Sequence, residues 1–413
     1  MKRLTAVAAG AIMTLSALGT ANAAFVIGGE NGWQFSTDGI VDVFSTYQST
    51  SPAPAGADGT KRFTSFLSGS TEQYQNFGVE VGLLPSVVAF TVKAPTTNGI
   101  DSSVRIGIYP SIQNKNHDSR FNTSPNVDFR EIFYTAKGAY GELLAGRALN
   151  LYQGKNILTD MTLLTAGVVP APGTTTTLGH IGYGYLYTNF GPQLRYTTPD
   201  LGGVKVAFSI NEPYKISADT AKTPTPRIET EISYASTLTG GNLQAWLSAM
   251  YQSATRSDTA AARPGADNHS VGGAYGAQVE FSGVSLLASG YVGEGLGMIS
   301  VQDGDVFGSS STDFAGKERT QFGFLAQATY QLTPTVKIGA NYGQTRQLKS
   351  DDDKKGGHAY SPMEKQEGAV AMVTYNLNKF IQFVAEYSYA QNTWQDGATQ
   401  HSNSLALGTM YYW

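Results

Sequence analysis

The sequence predicts an all-β fold, a transmembrane antiparallel up-and-down β-barrel, and three observations carry that reading. Apolar and polar residues alternate over stretches of about ten residues, the period of a strand with one apolar and one polar face. The connections between these stretches alternate between tight turns and long polar loops, the layout of a barrel in an outer membrane. The chain closes on Leu405, Leu407, Thr409, Tyr411 and Trp413, apolar or aromatic at almost every second position up to the last residue.

Composition excludes the main competing classes. Only 15% of the 413 residues are charged, while 47 are Gly, 23 are Tyr and none is Cys. A soluble domain carries ~25% charge. The mean hydropathy of −0.19 rules out a helical bundle, which needs repeated apolar runs of about 20 residues. Without Cys there is no disulfide framework, Fe–S site or Cys–zinc site. The low hydropathy itself fits a barrel in which one face of every strand meets water.

The first residues read as a targeting segment. Lys2 and Arg3 precede an uncharged stretch from Leu4 to Leu18, and Ala21-Asn22-Ala23 supplies small residues at the two positions a signal peptidase reads, so cleavage is expected after Ala23. Residues 1–23 are thus expected to be a signal peptide and 24–413 a single barrel domain. Removing the leader takes away Lys2 and Arg3 and no acid, so the remainder is more acidic than the −4 of the full chain. No basic tract is left for nucleic acid, which drops out as a partner.

The strands can be placed one by one. Residues 203–212 set Val204, Val206, Phe208 and Ile210 against Lys205, Ala207 and Ser209, and 227–235 set Ile228, Thr230, Ile232 and Tyr234 against Arg227, Glu229, Glu231 and Ser233. The stretches 320–331, 336–343 and 381–389 repeat the pattern. Sixteen strands follow: 33–47, 79–94, 102–113, 126–137, 142–151, 193–199, 203–212, 227–237, 243–254, 271–281, 284–292, 320–331, 336–347, 366–376, 381–391 and 403–413. Fourteen and eighteen are the alternative counts. The second strand is interrupted by Leu84-Pro85-Ser86, where Pro removes a ladder donor. Short turns at Ala139-Tyr140-Gly141, Asp200-Leu201-Gly202 and Ser282-Gly283 alternate with long loops at 48–73, 152–192, 293–319 and 348–365. Tyr recurs near strand ends (Tyr234, Tyr251, Tyr330, Tyr342, Tyr375, Tyr387), as in an aromatic girdle. The terminal strand is expected to close the barrel against the first, so that no edge is left unpaired in lipid. A barrel of this size leaves a water-filled channel.

Alternation also assigns lumen charges, since a charge on the lipid face costs about 2–4 kcal/mol at the midplane. Val88, Phe90 and Val92 turn Lys93 inward; Val104, Ile106 and Ile108 do the same for Arg105; Leu194 and Tyr196 for Arg195; and Lys205 follows from its own strand. The acids Asp38, Asp42, Glu80, Glu229, Glu231, Glu280 and Glu386 are expected on other strands. Two places break the pattern: Arg147 shares parity with Leu143, Leu149 and Leu151, and the adjacent Arg130 and Glu131 would take opposite faces.

Two stretches resemble the Gram-negative general porin family. Gly138-x-x-Gly141-Glu142-Leu143-Leu144-Ala145-Gly146-Arg147 is similar to that family's turn and fifth strand, and Leu194-Arg195-Tyr196-Thr197-Thr198-Pro199-Asp200-Leu201-Gly202-Gly203 to its sixth strand and turn. The C-terminal pattern is similar to the assembly signal of outer-membrane proteins. The resemblance implies a homotrimer of sixteen-stranded barrels, each with its third loop, here 152–192, folded into the pore. It also implies that Arg147 and Arg195 belong to a basic wall facing acids on that loop, joining Lys93, Arg105 and Lys205 in one basic strip. This sequence lacks the family's Pro-Glu-Phe-Gly-Gly loop signature, and Asp160 is the sole acid in 152–192.

The expected function is a water-filled channel for small hydrophilic solutes and ions, in contact with outer-membrane lipid and lipopolysaccharide, with no cofactor. A channel preferring small anions or carboxylates, through Arg105, Arg147 and Arg195, is the nearer alternative. An outer-membrane barrel enzyme or an adhesin is the remoter one. No nucleophile elbow, phosphate loop or dinucleotide fingerprint occurs. The five His (His117, His180, His269, His358, His401) fall in predicted loops without ligand spacing, so no metal site is expected. Asp303, Asp305 and Asp351-Asp352-Asp353 are acidic loop tips expected to be solvated, with Ca²⁺ or the divalent ions of lipopolysaccharide as the alternative, and their spacing does not fit an EF-hand.

Overall fold

A computed structural model describes residues 24–56, 61–62, 67–113, 127–167, 177–301 and 311–413. The predicted leader with Ala21 and Ala23, together with His117, Asp303 and Asp305, lies outside the described residues. Sixteen antiparallel strands close into one barrel. They are β1 Gln34–Thr50, β2 in two pieces (Tyr74–Glu80 and Val87–Lys93), β3 Asp101–Pro110, β4 Val127–Gly138, β5 Gly141–Leu149, β6 Phe190–Thr197, β7 Val204–Asn211 and β8 Arg227–Leu238. The second half comprises β9 Gly241–Arg256, β10 Asp267–Phe281, β11 Val284–Glu294, β12 Thr320–Gln331, β13 Val336–Gln347, β14 Met363–Asn376, β15 Ile381–Trp394 and β16 Thr399–Tyr412. Every strand expected from alternation is present, with ends shifted by a few residues.

Closure rests on the last strand. β16 pairs with β1 from Tyr412 opposite Ile40 to Ser402 opposite Thr50, and with β15 on its other side, so the barrel has no free edge. Beyond the strand, Trp413 exchanges both backbone hydrogen bonds with Gly39, at 3.1 and 3.2 Å. Its indole lies so close to Gly39 that a Cβ there would come within 2.2 Å of the ring. Glycine at 39 is what lets the terminal aromatic seal the seam.

Burial is inverted relative to a soluble protein. On β16 the outward Leu405, Leu407 and Tyr411 are exposed, Leu407 to 56%, whereas the inward Ser402, Ser404, Ala406 and Met410 are buried. The six Tyr expected in girdles are all exposed on the outer surface. Such a surface is stable against hydrocarbon, where a closed ladder satisfies the backbone N–H and C=O groups within the sheet.

The second strand is interrupted as expected at Leu84-Pro85-Ser86, and the break extends over Val81–Ser86. Its first piece pairs with Phe44–Thr50 of β1 and its second with Gln34–Ile40. Between them β1 runs through Val41–Val43, while β2 spends Val81–Ser86 outside the ladder. Pro85 lies in this excursion, where its missing N–H costs no ladder bond. Asp42 holds it: its carboxylate accepts from Gly82 N (2.6 Å) and Ser86 Oγ (2.8 Å).

Candidate functional site: the lumen and its folded-in loop

The loop between β5 and β6 enters the lumen, as expected for residues 152–192, with 168–176 outside the described residues. Gly146, at φ +131, sits against the β4 backbone, where a Cβ would meet Ile132 O at 2.2 Å. Past Arg147 β5 parts from β4 but stays paired with β6 to Leu149 opposite Phe190. The loop then forms a short helix, α1 Gly154–Leu158, and a 3₁₀ turn, Met161–Leu164.

Lumen-facing side chains fasten the loop at successive points around the wall. Glu229 on β8 accepts from Leu151 N (2.7 Å) and Tyr152 N (3.0 Å), and Trp246 Nε1 on β9 donates to Asn156 Oδ1 (2.9 Å). Gln327 on β12 accepts from Met161 N (2.7 Å) and donates to Thr159 O (3.1 Å). On β13 Thr345 accepts from Gly184 N (3.2 Å), and on β15 Glu386 accepts from Thr165 Oγ1 (2.5 Å). Each neutral bond is worth about 0.5–1.5 kcal/mol net, and those to a carboxylate more.

Asp160 was expected as the acid of the constriction loop, and the structure gives it another setting. It is buried and accepts from Thr162 N (2.9 Å), His180 N (3.2 Å), Tyr185 Oη (2.7 Å) and Asn341 Nδ2 (3.3 Å). With four donors on its two oxygens, it ties both limbs of the loop to β13 rather than facing a solute. His180 completes the knot, with Nε2 at 2.8 Å from Asn341 Oδ1 and Nδ1 at 3.0 Å from Tyr183 O.

Much of the loop's surface is apolar, and so is the wall it meets. Ile157, Leu163, Ala166, Ile181 and Tyr185 form one cluster with Phe44, Trp246, Leu287, Leu325, Val384 and Met410, all inward-facing. The expectation of a polar inner face fails here. The signal was readable: Leu325, Val384 and Met410 break the alternation of their own strands.

Of the five basic residues expected in one strip, the structure brings two together. Arg195 on β6 and Lys205 on β7 line a cavity of about 720 Å³ with Lys137, Lys155 of α1 and the acids Glu131, Glu142, Asp200, Glu231 and Glu280. Gly138, Gly141 and Gly203 also line it, which places it toward the end with the short turns. Glu231, Glu142 and Glu229 are the charges that act on Arg195, and Lys155 Nζ stands 4.0 Å from Glu231.

The other three lie apart. Arg105 is buried between two acids: its Nη atoms bond both Asp38 oxygens at 2.8 and 2.9 Å, and its Nε bonds Glu131 at 2.9 Å. The separation of acids from bases expected across the lumen is therefore absent at this point. Arg147 stands opposite Ile132 and donates to Phe190 O at 2.5 Å, with its charge acting on Tyr187 of the loop and on Tyr214. Lys93 is exposed at the short-turn end of β2, opposite Ser103.

A register shift resolves the clash between Arg130 and Glu131. Gly107 pairs with Glu131 and Ile108 with Phe129, leaving Arg130 as a bulge residue. A bulge turns neighbouring side chains to the same face. Arg130 accordingly lies 5.5 Å over the buried Tyr109 ring while Glu131 reaches Arg105.

In the outer loops, the acids at 351–353 start a short helix, α2 Asp351–Lys355, and each pairs within the protein: Asp351 with Lys354, Asp352 with Lys355 and His358, Asp353 with Arg319. Among the described residues no group of three or more His, Asp or Glu is placed to hold a metal.

A closed barrel with an apolar belt, a lumen narrowed by its own loop and a charged cavity along one side defines an outer-membrane channel. The chain belongs to the Gram-negative porin family, whose profile matches residues 4–395. Solved structures share the fold. The outer membrane channel DcaP of Acinetobacter baumannii is 16% identical, with 94% of this chain and 100% of that chain covered and a TM-score of 0.67. The anion-selective porin from Comamonas acidovorans is 14% identical, with 92% and 100% covered and a TM-score of 0.61. Salmonella typhi OmpF is 14% identical, with 92% and 98% covered and a TM-score of 0.54. No curated protein sequence matches the chain.

Proposed function

We propose that this porin passes small hydrophilic solutes and ions by passive diffusion along the side of the lumen lined by Arg195, Lys205 and Lys155. The carrying observation is the shared cavity in which these three cations and Lys137 face Glu131, Glu142, Asp200, Glu231 and Glu280. Cations on β6, β7 and the loop, with acids on β5, β8 and β10, set up a field across the path, and strips of charge are how pores select ions. A near-balanced lining supports a weak filter open to both signs. It speaks against a dedicated carboxylate ladder, because Arg105 is neutralised by Asp38 and Glu131. Passage along such a wall needs no energy source, cofactor or chemical step.

The assembly we infer is a homotrimer, by analogy with a related fold solved in a trimer form, OmpT of Vibrio cholerae. Lipid covers the outer apolar belt, and the outer loops meet lipopolysaccharide.

Planar-bilayer recording across a KCl gradient tests the filter. Arg195→Ala is expected to move the reversal potential toward cations, and Glu231→Gln toward anions. A wild-type channel whose reversal potential is unmoved by either change would refute the filter, and a purified barrel that hydrolyses lipid or peptide without conducting would refute the channel.

A further inference from the structure

We propose that the excursion Val81–Ser86 of the second strand is a second constriction element, an apolar wedge that works with the folded-in loop to seal one side of the lumen against water and ions. It rests on the channel reading above and adds an element that reading does not use. Four observations carry it.

The wedge is fully inside: every residue from Val81 to Ser86 is buried, although the strand pieces on either side belong to the wall. It is latched from beneath, since Asp42 accepts from Gly82 N and Ser86 Oγ, and Asp42 N donates to Ser86 Oγ at 3.1 Å.

Its contact with the loop is glycine-tight on both partners. A Cβ on Gly82 would come within 2.2 Å of Thr165 O, and one on Gly179 within 2.3 Å of Leu83 Cδ2. Thr165 is held on its far side by Glu386 of β15. The end of the loop is thus clamped between β15 and the wedge. Finally, Leu83 and Leu84 join the same apolar cluster as Ile157, Leu163, Ala166 and Ile181 of the loop.

A hydrophobic constriction excludes ions by dewetting, without needing a charge or a moving lid. Here the wedge and the loop present apolar side chains to each other across the part of the lumen next to β1, β2, β15 and β16. The Arg195 side is left as the conducting one. The channel's cross-section is then set by two chain segments.

The test is single-channel recording of Leu83→Ala/Leu84→Ala beside wild type, with folding verified by heat-dependent mobility on a gel. Removing the wedge's bulk is expected to raise conductance by at least about 1.5-fold. It should also pull the reversal potential in a KCl gradient toward that of free solution, because the new path bypasses Arg195 and Glu231. Conductance and reversal potential equal to wild type in the folded double variant would overturn the proposal. Should the double variant fail to assemble, Leu84→Ala alone is read by the same two criteria. A wild-type chain that carries no current would refute the channel reading itself, an outcome distinct from a conducting wild type with an unchanged variant.

Discussion

The two sides of the lumen differ in what their inward side chains meet. On β1, β2, β9, β11, β12, β15 and β16 they meet loop and wedge, and the contacts are apolar with single hydrogen bonds between. Toward the short-turn end of β4–β10 they line a cavity and many are charged, although further along Glu229 of β8 and Ala274 of β10 also meet the loop. One barrel therefore does two jobs with one wall geometry. The filled side behaves as a protein core, where a buried aliphatic or aromatic side chain contributes about 1.5–3 kcal/mol. The cavity side keeps its charges for whatever passes. A substitution on the filled side should alter stability or loop position, and one on the cavity side should alter selectivity alone.

The largest expected effect breaks that division at its border. Arg105 would have belonged to the selectivity filter had the basic strip formed, but it is a buried ion-pair centre. Arg105→Ala leaves Asp38 and Glu131 uncompensated, so a loss of about 3–5 kcal/mol is expected, read as a lower unfolding temperature in the gel-mobility assay. A stable variant with only a shifted reversal potential would return Arg105 to the filter.

Asp160→Ala comes next. It removes the acceptor of four donors, two of them on the far limb of the loop. With these hydrogen bonds to a charged group gone, the loop should detach from β13, with noisier and larger single-channel currents while the barrel stays assembled. Selectivity changing with conductance untouched would contradict the anchoring role.

Acid should act on the outer loops before the barrel. Burial alone would raise the Asp353 carboxyl, but the Arg319 guanidinium, bonded to it at 2.7 and 2.9 Å, together with Ser350 N–H and Gln395 holds it below its ordinary 3.8. A depressed folded value stabilises the loop above pH 3.8, and that contribution is lost as pH falls through the folded value. Proteolysis at 348–358 is expected to rise below about pH 4 in wild type, whereas Asp353→Asn should be cut readily at neutral pH as well.

The smallest effect in free energy is the sharpest for function. Arg195→Ala and Lys205→Ala should leave unfolding temperature within error while moving the reversal potential, the signature of the cavity side.

The strands were legible because their cause is local. Lipid outside and water or loop inside impose a period of two, and β7, β8, β13 and β15 carry it plainly. The terminal motif was legible for the same reason, as the last strand must seal against the first. The site was less so. Arg195 and Lys205 follow from parity on clean strands, but Arg147 and Arg130 needed Gly146 at positive φ and the bulge opposite Gly107. A bulge adds one residue to the pairing and leaves no mark in the alternation beyond a conflict between neighbours. The apolar inner face was written in Phe44, Trp246, Leu287, Leu325, Val384 and Met410, and alternation read only for its outer half passes over it.

The sequence by itself determined a membrane barrel, with sixteen strands expected and fourteen or eighteen left open, and which strand faces meet lipid, because each strand answers to its solvent independently. Only the tertiary structure decided that Asp160 ties the loop down, that Arg105 is neutralised, and that Val81–Ser86 leaves the wall. Those outcomes depend on which distant side chains come into contact, Asp38 with Arg105 and Asp160 with Asn341, and contact across a closed barrel is a non-local choice that no single strand's pattern contains.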